Sequence, residues 1–483
     1  MRNFGIMSQL LQPGKWREFL RGPIVNRWLR WGIVAGVLIV SMMLALLDSM
    51  DHLQLVLIGV VGILGAITLI QWPALGLLAI LIGTYFVAYT GPGGVNAVIL
   101  GVAGVAALWF ADMVIRQRKI HFVHPRTTTA LLFFSLSAVL SFFIGQLPWQ
   151  PLASHAPLTA QLGGLTIFLI SALAFMILGN IITDLRWLKA FTWLFVGIGG
   201  LYIAARWVPG VAFFMRSYVY LSAFNGSLFW VWMLVIPFSQ ALINNQLHTV
   251  KRIILVLLVV GVLYIAIFHA GDWKSGYIPP LAGVVVIVLL KYRQHVIWLT
   301  PFLLVGAWFM MEEAFSSDQY SVMTRLEAWK IIITMSVVSP LFGMGFGNYY
   351  LYTPLQDILG WRVNFSSHNQ YLDIVAQTGV IGLVCFFWVF WEIARLGWSL
   401  IDKAPEGFER AYVYGAMGGL AGTLVAGLFV DWILPFVYNV GIDGIRASIL
   451  SWFFLGGLVA IHQIMKQQPL SSLSDLEMGG NND

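Results

Sequence analysis

Lys251-Arg252-Ile253-Ile254-Leu255-Val256-Leu257-Leu258-Val259-Val260-Gly261-Val262-Leu263-Tyr264-Ile265-Ala266-Ile267-Phe268 is an unbroken apolar run closed on one side by two cations. A helix rises about 1.5 Å per residue, so a stretch of roughly 20 such residues matches the ~30 Å hydrocarbon layer of a bilayer. The run is typical of the chain. Of its 483 residues 59% are hydrophobic and only 10% charged, and the mean hydropathy is +0.84. Soluble domains carry about 25% charge. No soluble core hides so much Leu, Ile, Val, Phe and Trp, so the solvent for most of the chain is lipid. Soluble enzymes, disordered scaffolds and disulfide-built secreted modules are excluded. The single cysteine, Cys385, sits in an apolar run and can form no intrachain disulfide.

Working outward from that run, fourteen apolar stretches are long enough to cross, beginning near Trp31, Leu53, Pro73, Val95, Thr128, Leu162, Ala190, Val219, Ile253, Tyr277, Val296, Tyr371, Ala411 and Ile445. With the amino terminus inside, 20 of the 27 basic residues fall on inner segments, as the bias of Lys and Arg toward the cytoplasm requires. The other seven, Arg206, Arg216, Lys274, Arg325, Lys330, Arg362 and Arg446, fall outside. The expected fold class is therefore an all-α integral membrane protein of about 14 transmembrane helices, with both termini cytoplasmic. Residues 1–30 read as a basic interfacial segment, 31–310 as helices 1–11, 311–367 as a large outer loop, 368–465 as helices 12–14, and 466–483 as a disordered cytoplasmic tail.

The loop at 311–367 is far longer than an ordinary connection, so internal structure or function is expected in it. Thr324 and Glu327 fit a capping box, and the run through Val338 is amphipathic until Ser339-Pro340. That predicts a short helix across the outer mouth. Gly343-Met344-Gly345-Phe346-Gly347 comes next and reads as a flexible turn. The helices themselves place Asp48, Asp112, Asp373, Glu392, Asp431 and Arg446 near their ends only, which disfavours ion-coupled transport. No phosphate loop, metal-type histidine pair, Gly-x-Ser-x-Gly elbow or Cys-x-x-Cys occurs, so no cofactor or metal is expected. At Ser367-His368-Asn369-Gln370 a second capping box would set His368 in the first helical turn at the membrane surface. There the positive helix end keeps an imidazole neutral and able to accept a proton. The alternative is an interfacial histidine satisfied by water, with Asn369 and Asp373 as solvated helix-start residues.

Three blocks in order carry a resemblance: Arg325-Leu326-Glu327-Ala328-Trp329; Pro340-Leu341-Phe342-Gly343-Met344-Gly345-Phe346-Gly347-Asn348; and His368-Asn369-Gln370-Tyr371-Leu372-Asp373 with Thr378-Gly379-Val380-Ile381-Gly382-Leu383. Over about sixty residues they resemble the signature region of the O-antigen ligase and polymerase superfamily. Arg216-Ser217-Tyr218 through Asn225-Gly226 is similar to that family's entry to the helix ahead of its catalytic loop. Trp273-Lys274-Ser275-Gly276 departs from it, because many relatives have Ser-Arg-Gly there, and a lysine keeps the charge without the bidentate fork. The resemblance implies a GT-C-like membrane glycosyltransferase with a helical periplasmic loop. It implies a donor glycan on undecaprenyl pyrophosphate, an acceptor that is a glycan or lipid A-core, no nucleic acid, and a site outside the cytoplasmic membrane.

The chemistry of such a transfer sets two tasks. An acceptor hydroxyl must lose a proton, and a departing pyrophosphate must be stabilised. His368 suits the first. Arg325 and Arg216 suit the second, since guanidinium pairs with phosphate oxygens in a fork. Lys274, Asn369 and Arg206 are the expected further substrate contacts. Structural alternatives stand beside each: Arg325 as partner of Glu312 or Asp318, Arg216 as an interface anchor, and Arg206 as an anchor of the seventh helix. The outer aromatics Tyr349, Tyr350, Tyr352 and Trp361 either stack on sugar rings or form an interfacial belt.

Overall fold

The computed structural model describes residues 71–479 apart from 270–272 and 318, together with 65, 68 and 69. The expected helices near Trp31 and Leu53 and the basic segment 1–30 lie outside the described residues. Met1–Gln71 and Trp72–Asp483 form separate units. The second unit is helical throughout, with no named strand among the described residues. In chain order its long helices are α1 (Pro73–Phe86), α2 (Ala97–Ala111), α3 (Pro125–Ile144), α4 (Leu158–Ile181), α5 (Leu185–Ala204), the short α6 (Pro209–Tyr218), α7 (Ser227–Ile243), α8 (Thr249–Phe268), α9 (Lys274–Lys291) and α10 (Val296–Ser317). After these come α11 (Gln319–Ser336), the single turn α12 (Asn348–Tyr352), α13 (Gln370–Ile401), α14 (Phe408–Phe429) and α15 (Ile445–Gly479). Every helix expected from Pro73 onward has a counterpart. Eight are long and apolar enough to span a membrane and three more are apolar but shorter, so the chain is a multi-pass membrane protein.

Burial orders the bundle. An 18-residue stretch within Ile442–Gln467 is wholly buried, whereas 22% of Thr249–Ala266 is; α15 is the central post and α8 lies at the rim. Hydrogen bonds sort the connections into the same two sets as the cations do. The segments assigned inside meet each other, as in Arg293–Asp402 at 2.9 Å, Gln246 with the Glu406 carbonyl at 3.0 Å and Val123 N–H with Asn180 at 2.9 Å. The segments assigned outside do likewise: Tyr220 N–H donates to the Tyr85 carbonyl at 2.7 Å and Ala156 N–H to Asn348 Oδ1 at 2.8 Å.

One local expectation is corrected. Thr324 lies inside the helix Gln319–Ser336 and is no cap; its hydroxyl donates back to the Tyr320 carbonyl at 2.8 Å. Polar residues can lie well inside a helix when they bond to its own preceding turn. α10 runs to Ser317 and α15 to Gly479.

The glycine turn is not flexible. α13 is interrupted at Gly379 (φ 68°, ψ −174°), a conformation essentially reserved for glycine. The interruption would strand backbone groups within the bundle, where an unpaired group is costly. The preceding loop fills the gap. Met344 and Gly345 N–H donate to the Ala376 and Gln377 carbonyls at 2.9 and 3.0 Å, while Val380 and Ile381 N–H donate to the Pro340 and Leu341 carbonyls at 2.9 and 3.2 Å. Ser141 Oγ also donates to the Gln377 carbonyl, at 2.5 Å. Gly343 lies so close that a Cβ would sit 2.4 Å from the Gln377 carbonyl oxygen. The loop is thus stitched into a broken membrane helix.

Candidate functional site

That stitching fixes the elements which carry the charged residues. Ile332 and Met335 of α11, Met344, Tyr349 and Tyr352, Ala376 of α13 and Phe436 form one buried apolar cluster, each large side chain contributing on the order of 2 kcal/mol. Trp329 Nε1 on α11 donates to the Ser367 carbonyl at 2.8 Å, which ties the helix bearing Arg325 to the turn bearing His368. Asn369, not Ser367, caps α13: its Oδ1 accepts from Tyr371 and Leu372 N–H at 3.0 and 3.2 Å, and its Nδ2 donates to the Leu428 carbonyl at 3.2 Å. His368 therefore precedes the cap instead of occupying the first turn. It adopts φ 48°, an uncommon conformation for a residue with a side chain.

The half-buried His368 imidazole sits among groups from four segments. Its Nδ1 lies 3.2 Å from Asn439 Nδ2, and that same nitrogen donates to Asp431 Oδ1 at 2.6 Å. Asp431 is fully buried. Arg325 Nη1 donates to the Phe429 carbonyl at 2.8 Å, beside Asp431. Behind them Asp373 is fully buried. Its Oδ1 accepts from Ser367 Oγ at 2.7 Å and from the Tyr349 hydroxyl.

Charge obeys this geometry. Burial, reinforced by the Arg325 guanidinium, holds the His368 imidazole below its ordinary pKa, so it is neutral at pH 7. Burial raises the Asp431 carboxyl above the usual carboxylate range, against the pull of Asn439 and Arg325. Burial first, and then Asp373, keep the Tyr349 hydroxyl protonated and a donor. A neutral imidazole and a guanidinium at one polar spot can receive a proton and hold an anion.

The other expected residues have surroundings of their own. Arg216 is exposed in the last turn of α6, and no hydrogen bond or ion pair among the described residues links it to His368 or Arg325. Arg206, after α5, lies 5.9 Å over the Tyr202 ring. Lys274 is the first residue of α9. Asn369 spends its side chain on the cap and on Leu428. Arg362 is paired with Asp357 at 2.7 Å, and Arg446, 1% exposed, is paired with Asp443 at 2.7 Å while donating to carbonyls at the end of α1. Tyr349 and Tyr352 are buried rather than offered to sugars. Sequence reasoning missed Asn439 and passed over Asp431 as a helix-end acid. Its only available signal was a lone carboxylate set against Trp432-Ile433-Leu434. Among the described residues no group of three or more His, Cys, Asp or Glu could hold a metal ion.

Comparison with known proteins agrees with the motif region. Residues 156–387 match the family model described as O-antigen ligase, a span from α4 into α13 that stops short of Asp431 and Asn439. The exopolysaccharide production protein ExoQ of Rhizobium meliloti is 27% identical over 157 residues, which cover 30% of this chain and 32% of that protein. The chain thus matches about a third of that relative's length. The region holding Arg216, Arg325 and His368 is thus similar to the O-antigen ligase/polymerase superfamily.

Proposed function

We propose that the protein is a metal-independent, inverting glycosyltransferase that moves a glycan from undecaprenyl pyrophosphate to an acceptor hydroxyl at the outer side of the inner membrane. The observation that carries this is a neutral His368 on the turn that Trp329 ties to the helix bearing Arg325. The acceptor hydroxyl gives its proton to His368 as its oxygen attacks the anomeric carbon. The bond from that carbon to the pyrophosphate oxygen breaks on the opposite face, and undecaprenyl pyrophosphate leaves with the electron pair. Arg325 takes up the charge that develops there, and Arg216 serves as a second cation toward the lipid side. Lys274, Arg206 and Asn369 are assigned to the surrounding substrate surface.

The likeness to ExoQ supports a second reading within this chemistry, in which the acceptor is a growing exopolysaccharide instead of lipid A-core. A carrier of lipid-linked glycans that makes no bond is the reading from another class. All are separated by reconstituting the purified protein in liposomes with labelled undecaprenyl-pyrophosphate-linked glycan from the producing cell. Transfer releases free undecaprenyl pyrophosphate, and the acceptor supplied decides between lipid A-core and polysaccharide. His368→Ala and Arg325→Ala are expected to insert normally and to lose transfer by about 10²-fold or more. Wild-type rates in both variants would refute these roles, and movement of glycan without release would make the protein a carrier.

A further inference from the structure

Arg446 stands in the first turn of α15 and is 1% exposed. Each of its three guanidinium nitrogens is engaged. Nε donates to Asp443 Oδ1 at 2.7 Å, Nη1 to the Thr84 and Val87 carbonyls at 3.2 and 2.9 Å, and Nη2 to the Tyr89 carbonyl at 3.1 Å. These carbonyls lie at the carboxyl end of α1, where a helix draws positive charge. The Tyr220 ring covers one face of the guanidinium, its centroid 4.5 Å from Cζ. A cation buried in this way is not offered to a substrate phosphate, and its desolvation is offset only while the whole set of partners is in place.

Asp443 extends the set to two further elements. Its Oδ1 also accepts at 3.2 Å from Nδ2 of Asn96, the residue that caps α2, and its Oδ2 accepts from the Tyr220 hydroxyl at 2.9 Å. Tyr220 lies four residues beyond Arg216. The helix that bears Arg216 rests lightly on the bundle: in α6 Met215 is buried, while Phe213, Phe214, Ser217 and Tyr218 are exposed with Arg216. Along the chain from α6, the first hydrogen bonds to another element among the described residues are those of Tyr220, from its hydroxyl to Asp443 and from its N–H to the Tyr85 carbonyl at 2.7 Å. The same connection that carries Asp443 also reaches the imidazole. Val440 and Gly441 N–H donate to the Phe436 carbonyl at 3.0 and 3.1 Å, and Gly444 N–H donates to the Gly441 carbonyl at 3.2 Å, so the chain is tightly turned here. Asn439 in this turn approaches His368 Nδ1 at 3.2 Å, and Asp443, four residues on, holds Tyr220.

Resting on the role proposed for Arg216, we infer that Tyr220, Asp443 and Arg446 form a latch that fastens the carboxyl end of α6 to the turn bearing Asn439, and so fixes where Arg216 stands relative to His368. All three are positioning residues. The arrangement also accounts for the type of cation at its centre: a planar fork serves Asp443 and three carbonyls at once, and a lysine ammonium at the same place has neither the reach nor the flat face for Tyr220.

Tyr220→Phe is the informative variant, because it keeps the ring over the guanidinium and the backbone bond to Tyr85 and removes the hydroxyl alone. Arg446 is left in place, so the variant is expected to fold. Loss of a hydrogen bond to a carboxylate raises the open population of the segment it holds by about tenfold or more. Hydrogen–deuterium exchange of the full chain in bilayers is expected to rise by about that factor over residues 209–220. Donor turnover in liposomes then separates positioning from fastening. Tyr220→Phe is expected to lower kcat/KM for the lipid-linked donor by about tenfold when Arg216 is present, and to lower it no further in Arg216→Ala. Unchanged exchange over 209–220 in Tyr220→Phe overturns the latch, whatever Arg216 does. Raised exchange with the same loss of kcat/KM in both backgrounds overturns the positioning, because a structural weakness alone adds to the loss of Arg216. Wild-type turnover in Arg216→Ala overturns the role proposed for Arg216 and the positioning with it, while the fastening itself stands on the exchange result.

Discussion

Gly379→Ala is the sharpest probe of the stitched helix. At φ 68° and ψ −174° a side chain costs about 1–3 kcal/mol in backbone strain alone. The new Cβ would also lie 2.2 Å from the Leu341 carbonyl oxygen and 2.5 Å from the Phe342 nitrogen. Relief of that overlap has to separate the 340–345 segment from the 376–381 segment, and the four backbone hydrogen bonds between them are worth about 1 kcal/mol each. Local opening is therefore eased by about 3–4 kcal/mol, or roughly 10²–10³-fold in the population of the open form. Hydrogen–deuterium exchange read on peptides covering 340–350 and 374–384 measures this, with Val380→Ala, an exposed neighbour, as the control. Exchange rising by that factor in both peptides together is the expected result. If Gly379→Ala exchanges within threefold of the wild type, the loop is not held by this junction and the reasoning fails.

Three other measurements bear on the same geometry. Asn348 is fully buried and bonds to Ala156 N–H and to the Gly145 and Met344 carbonyls; Asn348→Ala should lower stability by about 2–3 kcal/mol, read as the unfolding midpoint in mild detergent, with partial loss of transfer. A base held below its ordinary pKa is protonated only when the pH falls through that lowered value, so the acid limb of kcat/KM should lie below pH 6.5. An acid limb at or above 6.5 would show that His368 is not the group titrating. Chelators should leave transfer intact in the liposome assay; loss that one particular divalent ion restores would replace guanidinium by metal as the partner of the pyrophosphate.

Much of the fold was legible because lipid imposes a simple rule, that helices are long and apolar and cations gather on one side. Arg325 and His368 were legible because each lies within a block of fixed local spacing. Asp431 and Asn439 were not, since they come from the connection after α14 and acquire meaning only when that connection meets the turn before α13. Gly343, Gly345 and Gly347 were misread for a physical reason: a sequence rich in glycine encodes loose chain and close backbone approach equally well, and only the partner segment decides which. Tyr349 and Tyr352 were misread because a single turn of helix is too short for its periodicity to announce a buried face. Thr324 was misread because a box of cap residues inside a longer helix looks the same as one at its start.

The interruption at Gly379 also constrains how such chains can be recombined. The outer loop and the first third of α13 complete each other's backbone pairing, so neither is a portable cassette. A hybrid that grafts residues 318–369 from a relative onto this scaffold must bring 374–381 along with them, or the membrane helix inherits a gap with nothing to fill it.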